Sequence, residues 1–231
     1  MARVSSPRTS PRSPSAGADT RARLIDAGMD LLQREGPEAL QARKLSAEIG
    51  ASTMAVYTHF GGMTGLLDAL VAESFRQFGA ALAAAPTTED PVADFFVMGY
   101  AYRQFALRSP QRYRLMFGLA APQLSTAVTT DTPVAAATFE QLVTAVSRLL
   151  ETGQLRADDP VDVAGRVWSL VHGIVLLEIV GAFAQHTAAA TDYALTHILG
   201  PMTVDLLVGM GADRNRLQHS LDGARARLVP G

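Results

Sequence analysis

Cysteine is absent from the 231-residue chain, which excludes disulfides, thiolate zinc sites and thiol nucleophiles. Lysine is almost absent as well: Lys44 stands alone, so nearly every cation is a guanidinium. The amino end lacks an apolar run, because residues 1–18 are rich in Ser, Pro and Arg, and no secretion signal is read there. No stretch has a convincing period of two and no segment repeats, so strands and repeat architectures are not expected. The most apolar stretch, Val167 to Ala184, is interrupted by His172 and Glu178 and reads as a buried helix rather than a membrane span. Charge of one sign is lacking too. Twenty basic against 22 acidic side chains leave a net charge of −2, which taken alone argues mildly against a nucleic-acid partner.

The charge is unevenly spread. Residues 1–60 hold eight basic and six acidic groups, so the positive excess sits in the first quarter of the chain. Pro7, Pro11 and Pro14 break regular structure, and residues 1–18 read as a disordered basic arm. Helical signals begin at Asp19-Thr20, a plausible N-cap, with Leu24, Ile25, Gly28, Met29 and Leu32 on one face and a stop at Gly36-Pro37. Short helices are expected over 43–49 and from 52 or 53 to 60, then a long amphipathic helix over 63–82. Residues 83–90 form the boundary. Beyond it, helices are expected over 91–108, 111–117, 133–152, 160–184 and 192–210, with a loop over 118–132 and a charged tail from 212 to 231, either partly helical or frayed. The expected fold is all-α: a head over 19–82 on a larger carboxy-terminal helical bundle over 83–211.

Within the head, Ala42 to Phe60 satisfies the demands of a helix-turn-helix. Leu45 and Ile49 anchor the first helix, Ser46 is small where the helices cross, Gly50 makes the turn and Val56 anchors the second helix. An ordinary helical hairpin has the same spacing. The residues themselves go further. Leu40-Gln-Ala-Arg-Lys-Leu-Ser-Ala-Glu-Ile-Gly50, Val56-Tyr-Thr-His-Phe60 and Leu66-Leu-Asp-Ala-Leu70 resemble the DNA-binding head of the tetracycline-repressor family of bacterial regulators. The resemblance covers about residues 20–70, and it implies a two-domain helical protomer that dimerises through its carboxy-terminal helices.

On a helical wheel with Val56 inward, Met54, Tyr57 and Thr58 point outward and Ala55 lies at the edge. Met54, Ala55 and the Thr58 methyl can meet thymine methyls. The resemblance assigns Thr53, Tyr57 and His59 to phosphate contacts. The second helix has no Arg, Asn or Gln and so lacks the usual bidentate base readers. Arg43, where the family places a base contact, is the expected reader of guanine, against the plainer reading of a solvated charge. Lys44 is either a phosphate contact or simply exposed. The family's usual lysine after Tyr-x-His-Phe is here Met63, which points to weak nonspecific affinity and leaves room for Arg8 and Arg12 of the arm to compensate.

In the body, Pro110-Gln-Arg-Tyr-Arg-Leu-Met-Phe117 and Trp168-Ser-Leu-Val-His-Gly173 resemble a Trp-His-Gly subset of the same family. Phe95, Phe96, Met98, Tyr102, Phe105, Met116, Phe117, Phe139, Trp168 and His172 are candidates for an apolar ligand cavity, and each could equally be packed core. Arg103 and Glu178 are either polar anchors for a ligand or an internal ion pair. His172 and Glu178 do not share a helix face, and no metal or nucleophile motif is present. His172 is expected to donate a buried hydrogen bond. The nearly all-round apolar 160–184 helix, with 192–210, is expected to form a four-helix dimer interface through Val167, Leu170, Val171, Ile174, Val175, Leu195, Ile198, Leu199, Met202 and Leu206, unless one chain buries them all.

The sequence therefore predicts a cytoplasmic, homodimeric regulator without cofactor, metal or membrane. It would be a repressor released from an inverted-repeat DNA operator by a small, largely apolar effector. An architectural or partner-recruiting DNA-binding protein and a helical-bundle enzyme are the alternatives.

Overall fold

The computed structural model describes residues 14–119, 132–183 and 193–228, and all regular structure among them is helical. The head contains α1 (Pro14–Glu35), α2 (Ala42–Glu48), α3 (Met54–Phe60) and α4 (Met63–Ala83). The body contains α5 (Pro91–Arg108), α6 (Pro110–Met116), α7 (Pro133–Glu151), α8 (Pro160–Ile179), α9 (Gly200–Gly209) and α10 (Arg214–Leu228). A single 3-10 turn, Pro37–Ala39, follows α1, and a π-helical stretch, Ala194–Leu199, runs straight into α9. Proline opens α5, α6, α7 and α8, where its missing N–H has no helical partner to lose. Asp90, Thr132 and Asp159 cap three of those starts by accepting backbone N–H bonds.

Several expectations are corrected. The first helix begins at Pro14, five residues before the expected Asp19 cap, because nothing in Ser15-Ala-Gly-Ala18 stops a helix running back from Asp19. The remainder of the expected arm, with Arg8 and Arg12, lies outside the described residues, as do most of the 118–132 loop and the start of the helix expected from 192. The helix expected over 160–184 instead stops at Ile179, where the chain turns through Gly181 at φ +75°. Of the two readings of the tail, the helical one holds, and further than expected. Residues 214–228 form a helix that buries Leu217, Leu221 and Ala224 and packs along α5. Among the described residues the body therefore has six α-helices, one more than expected.

One apolar core runs through both parts of the molecule, from Leu24, Leu31 and Leu32 of α1 through Leu66 and Leu70 of α4 to Val163 and Val175 of α8. α4 is the element common to both. It packs on α1 and α3 at one end and on α5, α6 and α7 further along. Twenty-one residues make it about 30 Å long. α8 packs against α5, α7 and the π-helical stretch, although its length and composition alone would let it cross a membrane.

Candidate nucleic-acid interface and internal cavity

The α2–α3 unit is built on a buried anchor from each helix. Leu45 and Val56 are fully buried, and Ser46 beside them is 2% exposed, its hydroxyl without a hydrogen-bond partner among the described residues. Any larger side chain at Ser46 would push the helices apart. Gly50 turns the chain at φ +65°, in the left-handed region that costs glycine least. At the far end of α3 the backbone comes closer still. A Cβ placed on Gly65, in the first turn of α4, would stand 1.9 Å from the carbonyl oxygen of Phe60. α3 is thereby held directly against α4.

With Val56 turned inward, the opposite face of α3 is open. Met54 is 64% and Tyr57 55% exposed, and Thr53 and Thr58 are exposed beside them. Ala55 and His59 are half-buried; His59 meets Phe60 edge-on. The Tyr57 ring lies against Gly62 at the α3–α4 turn. Met63, in the position where lysine was expected, is packed against the core, so its side chain is spent on the interior.

The cations of the head divide sharply. Arg21 lies over the Phe60 ring, Arg23 donates to the Ile49 carbonyl at 2.8 Å, and Arg34 pairs with Glu48 at 3.0 Å. Lys44 is ion-paired with Glu35 of α1, which corrects the view of it as simply exposed; contacting a phosphate would mean leaving that carboxylate. Arg43 is exposed and has no such partner among the described residues. It is the head cation whose guanidinium is uncommitted.

The body encloses a cavity of about 390 Å³, within the range of small-molecule sites. Its walls are overwhelmingly apolar. Of the sequence candidates, Phe95, Phe96, Met98, Tyr102, Phe117, Phe139 and Trp168 line it. Arg103, Phe105, Met116, His172 and Glu178 do not. Phe105 stands behind Phe78, with ring centroids 5.0 Å apart, and Met116 is fully buried elsewhere in the core. Arg103 and Glu178 are the internal ion pair: Arg103 is 1% exposed, its Nε lies 2.9 Å from Oε2, and a second nitrogen reaches Oε1.

The wall also holds residues the sequence reading assigned elsewhere. Phe75, Phe78 and Leu82 come from α4, and Leu221, Ala224 and Leu228 from α10. Val167, Val171, Leu195 and Leu199, expected at a dimer interface, line the same cavity. Ile174 and Val175 are buried within the chain as well, because α5, α7 and the π-helical stretch cover more of α8 than its composition suggested. Leu170, Ile198 and Leu206 are half-buried, and Met202 is 45% exposed. With Leu177 and Val180 they leave an apolar strip on the outside of α8 and α9.

Behind the cavity lies a buried polar chain. Tyr102 and Tyr113 hydroxyls are 2.6 Å apart, and Tyr113 is 2.7 Å from His172 Nδ1. The Tyr102 hydroxyl lies 3.1 Å from the same nitrogen. With its proton on Nδ1, His172 donates into this chain, as expected of it; with the proton on Nε2, Nδ1 accepts from a phenol. Burial raises both phenol pKa values and lowers that of His172, so every member is held in its neutral form.

Comparison with known proteins agrees with this arrangement in both parts. Residues 24–70 match the bacterial regulatory proteins of the tetR family, and residues 95–200 match the tetracyclin repressor-like C-terminal domain. The chain belongs to the TetR family. Its members are transcription regulators that bind DNA, and the head described above is this family's DNA-binding domain. No curated protein matches this TetR-family chain at a significant level. Among solved structures, it is similar to a protein of unknown function from Rhodococcus sp. RHA1, with 25% identity over 83% of this chain and 95% of that one, at a TM-score of 0.67. The putative regulatory protein SCO4313 is 27% identical over 86% of this chain and 100% of its own, at a TM-score of 0.65. RolR in complex with resorcinol shares the fold at 16% identity, covering 90% and 96% of the two chains at a TM-score of 0.63.

Proposed function

We propose that this TetR-family regulator is a homodimeric repressor whose hold on an inverted-repeat operator is released by a small, largely apolar ligand. One observation supports this above the others. α4 presses its first turn against α3 at Gly65 and offers Phe75, Phe78 and Leu82 to the cavity further along. A ligand that displaces those rings displaces a rigid rod whose other end positions the DNA-binding helix. Arg43 reads a base in this scheme, Met54, Ala55 and Thr58 make apolar base contacts, and Thr53, Tyr57 and His59 hold phosphates. Lys44 joins them after exchanging Glu35 for a phosphate.

Dimerisation uses the apolar strip of Leu170, Leu177, Val180, Ile198, Met202 and Leu206, which the described chain leaves half-buried or exposed. Two heads then reach successive major grooves when they stand about 34–36 Å apart. Ligand binding changes that separation, and a coupling of about 1–3 kcal/mol is typical of such systems. A filled core would have favoured an architectural protein; a cavity of this size favours a responsive one. The protein is a non-enzymatic regulator in this reading and works in the cytoplasm.

The test is footprinting on the DNA upstream of the protein's own gene, with and without a panel of small aromatic compounds. Resorcinol, held by the fold relative RolR, is a natural first member. A two-fold symmetric footprint that weakens with one compound is expected. An operator affinity unmoved by any compound that enters the cavity would defeat the ligand-responsive part of the scheme.

A further inference from the structure

The cavity contains few polar groups, and the hydroxyls of three of them are already spent. Thr138 and Thr203 donate to the carbonyls of Val134 and Leu199, one turn back in their own helices, at 2.9 and 2.7 Å. The Tyr102 hydroxyl is consumed by the tyrosine–histidine chain. Among the lining side chains described, three retain donors: Tyr100 on α5, the Trp168 indole on α8 and Arg225 on α10. Arg225 is the one formally charged side chain in that lining.

Arg225 is also poorly neutralised. Its nearest carboxylate is Asp222, one turn earlier on the same helix, at 3.4 Å. That pair is exposed at both ends, 43% and 60%, and Asp222 also accepts from Gln218 at 3.0 Å. An exposed pair at this spacing contributes little. The guanidinium leans instead toward Gly200, its Nη2 3.8 Å from where a Cβ would stand, at the junction of the π-helical stretch and α9. Leu221, Ala224 and Leu228 beside it face the apolar interior. The cation therefore sits at the rim of a greasy chamber, half in water, with Nη1 on Asp222 and the Nε–Nη2 edge without a hydrogen bond among the described residues. That is the geometry in which arginine takes a carboxylate through two parallel hydrogen bonds.

We propose that the ligand of this cavity is an amphiphilic acid, its apolar body among the phenylalanines and Trp168 and its carboxylate on Arg225. This rests on the reading of the cavity as a ligand site and goes further by naming the ligand's charge and its anchor. It also gives α10 a function: the helix supplies both a wall and the head-group contact. A neutral amphiphile would fill the same chamber and leave the guanidinium to water. A cationic one would be repelled.

Trp168 is the one tryptophan of the chain and lines the cavity, so its fluorescence reports entry directly. Phenylbutyrate, phenylbutanol and phenylbutylamine share a body and differ in head group. Titrated separately into the full-length protein, the acid should bind about fivefold tighter than the alcohol, and the amine weakest. Arg225→Gln should erase the acid's advantage and leave the alcohol's affinity unchanged; Arg225→Lys should restore part of it. An unchanged circular-dichroism melt of Arg225→Gln excludes simple misfolding.

Equal affinities for acid and alcohol in the native protein, an acid preference that survives Arg225→Gln, or no response of Trp168 to any probe would each overturn the proposal. Operator footprinting without probe judges the regulator reading separately. An acid that binds through Arg225 yet leaves the footprint unchanged would sustain the anchor and remove the release mechanism.

Discussion

Glu178→Gln is the perturbation that best separates the two readings of Arg103 and Glu178. The guanidinium of Arg103 is 1% exposed and Glu178 is 14% exposed, so the pair lies almost wholly out of water between α5 and α8. Nε is shared between both carboxylate oxygens, at 2.9 and 3.2 Å, and a second nitrogen reaches Oε1. Removing one partner of such a pair costs about 3–5 kcal/mol, chiefly because the other charge is left buried. Glutamine keeps an acceptor oxygen, so the lower end, about 3 kcal/mol, is expected. For a chain of this size each kcal/mol moves the midpoint by about 2–4 °C, giving a fall of about 6–12 °C. The double variant Arg103→Met/Glu178→Leu removes both charges together and should recover most of the loss, because apolar replacement of a whole buried pair is often neutral. Thermal melts at one fixed protein concentration measure this, since the proposed dimerisation would make the midpoint concentration-dependent. A Glu178→Gln melt indistinguishable from the native protein, or a double variant no better than the single, would refute the reasoning. Loss of ligand response with an unchanged melt would instead revive the pair as a ligand anchor.

Gly65→Ala should cost about 1–3 kcal/mol and abolish operator binding, because the added methyl meets the Phe60 carbonyl 1.9 Å away and backbone cannot yield as a side chain can; gel-shift assays with the native operator would show the loss, and normal affinity would contradict the close approach. Arg43→Ala should lose about 1–3 kcal/mol of binding and relax the preference at one base pair per half-site, read by binding-site selection; an unchanged preference would remove Arg43 from the readers. Leu177→Glu should lower the dimer fraction in sedimentation, with operator affinity falling alongside it. Acid should loosen α10. Burial by itself would raise the Asp94 pKa, but bonds from the Thr88 N–H and hydroxyl and the Arg148 guanidinium hold it below the ordinary value, and Arg227 of α10 lies on the same carboxylate at 3.1 Å. A lowered folded-state pKa means that this stabilisation is complete above the ordinary aspartate value and is lost as pH falls below it. Amide exchange across 214–228 should therefore quicken in that window, and Asp94→Asn should be fast already at neutral pH.

Most of the head was legible because its information is local. The spacing of Leu45, Ile49 and Val56, the turn at Gly50 and the outward Met54, Tyr57 and Thr58 all follow from a periodicity read within 20 residues. What could not be read there was the pairing of cations. That Arg21, Arg23, Arg34 and Lys44 are occupied while Arg43 is not depends on where α1 lies relative to α2 and α3. α10 is a different case. Leu217, Leu221, Ala224 and Leu228 recur at helical spacing, so its apolar face was present in the sequence and was masked by the surrounding charge.

The sequence by itself determined an all-helical chain, a helix-turn-helix near its start, and an apolar body able to form a pocket. These follow from composition and period, which are properties of single segments. Only the tertiary structure decided which apolar side chains meet empty space and which meet one another. Val167 and Leu199 face the cavity while Leu177 and Val180 face out, although nothing in their chemistry separates them. The hydrophobic effect is non-directional: it drives all four out of water and leaves the packing of α4, α5, α7 and α10 to decide where each goes.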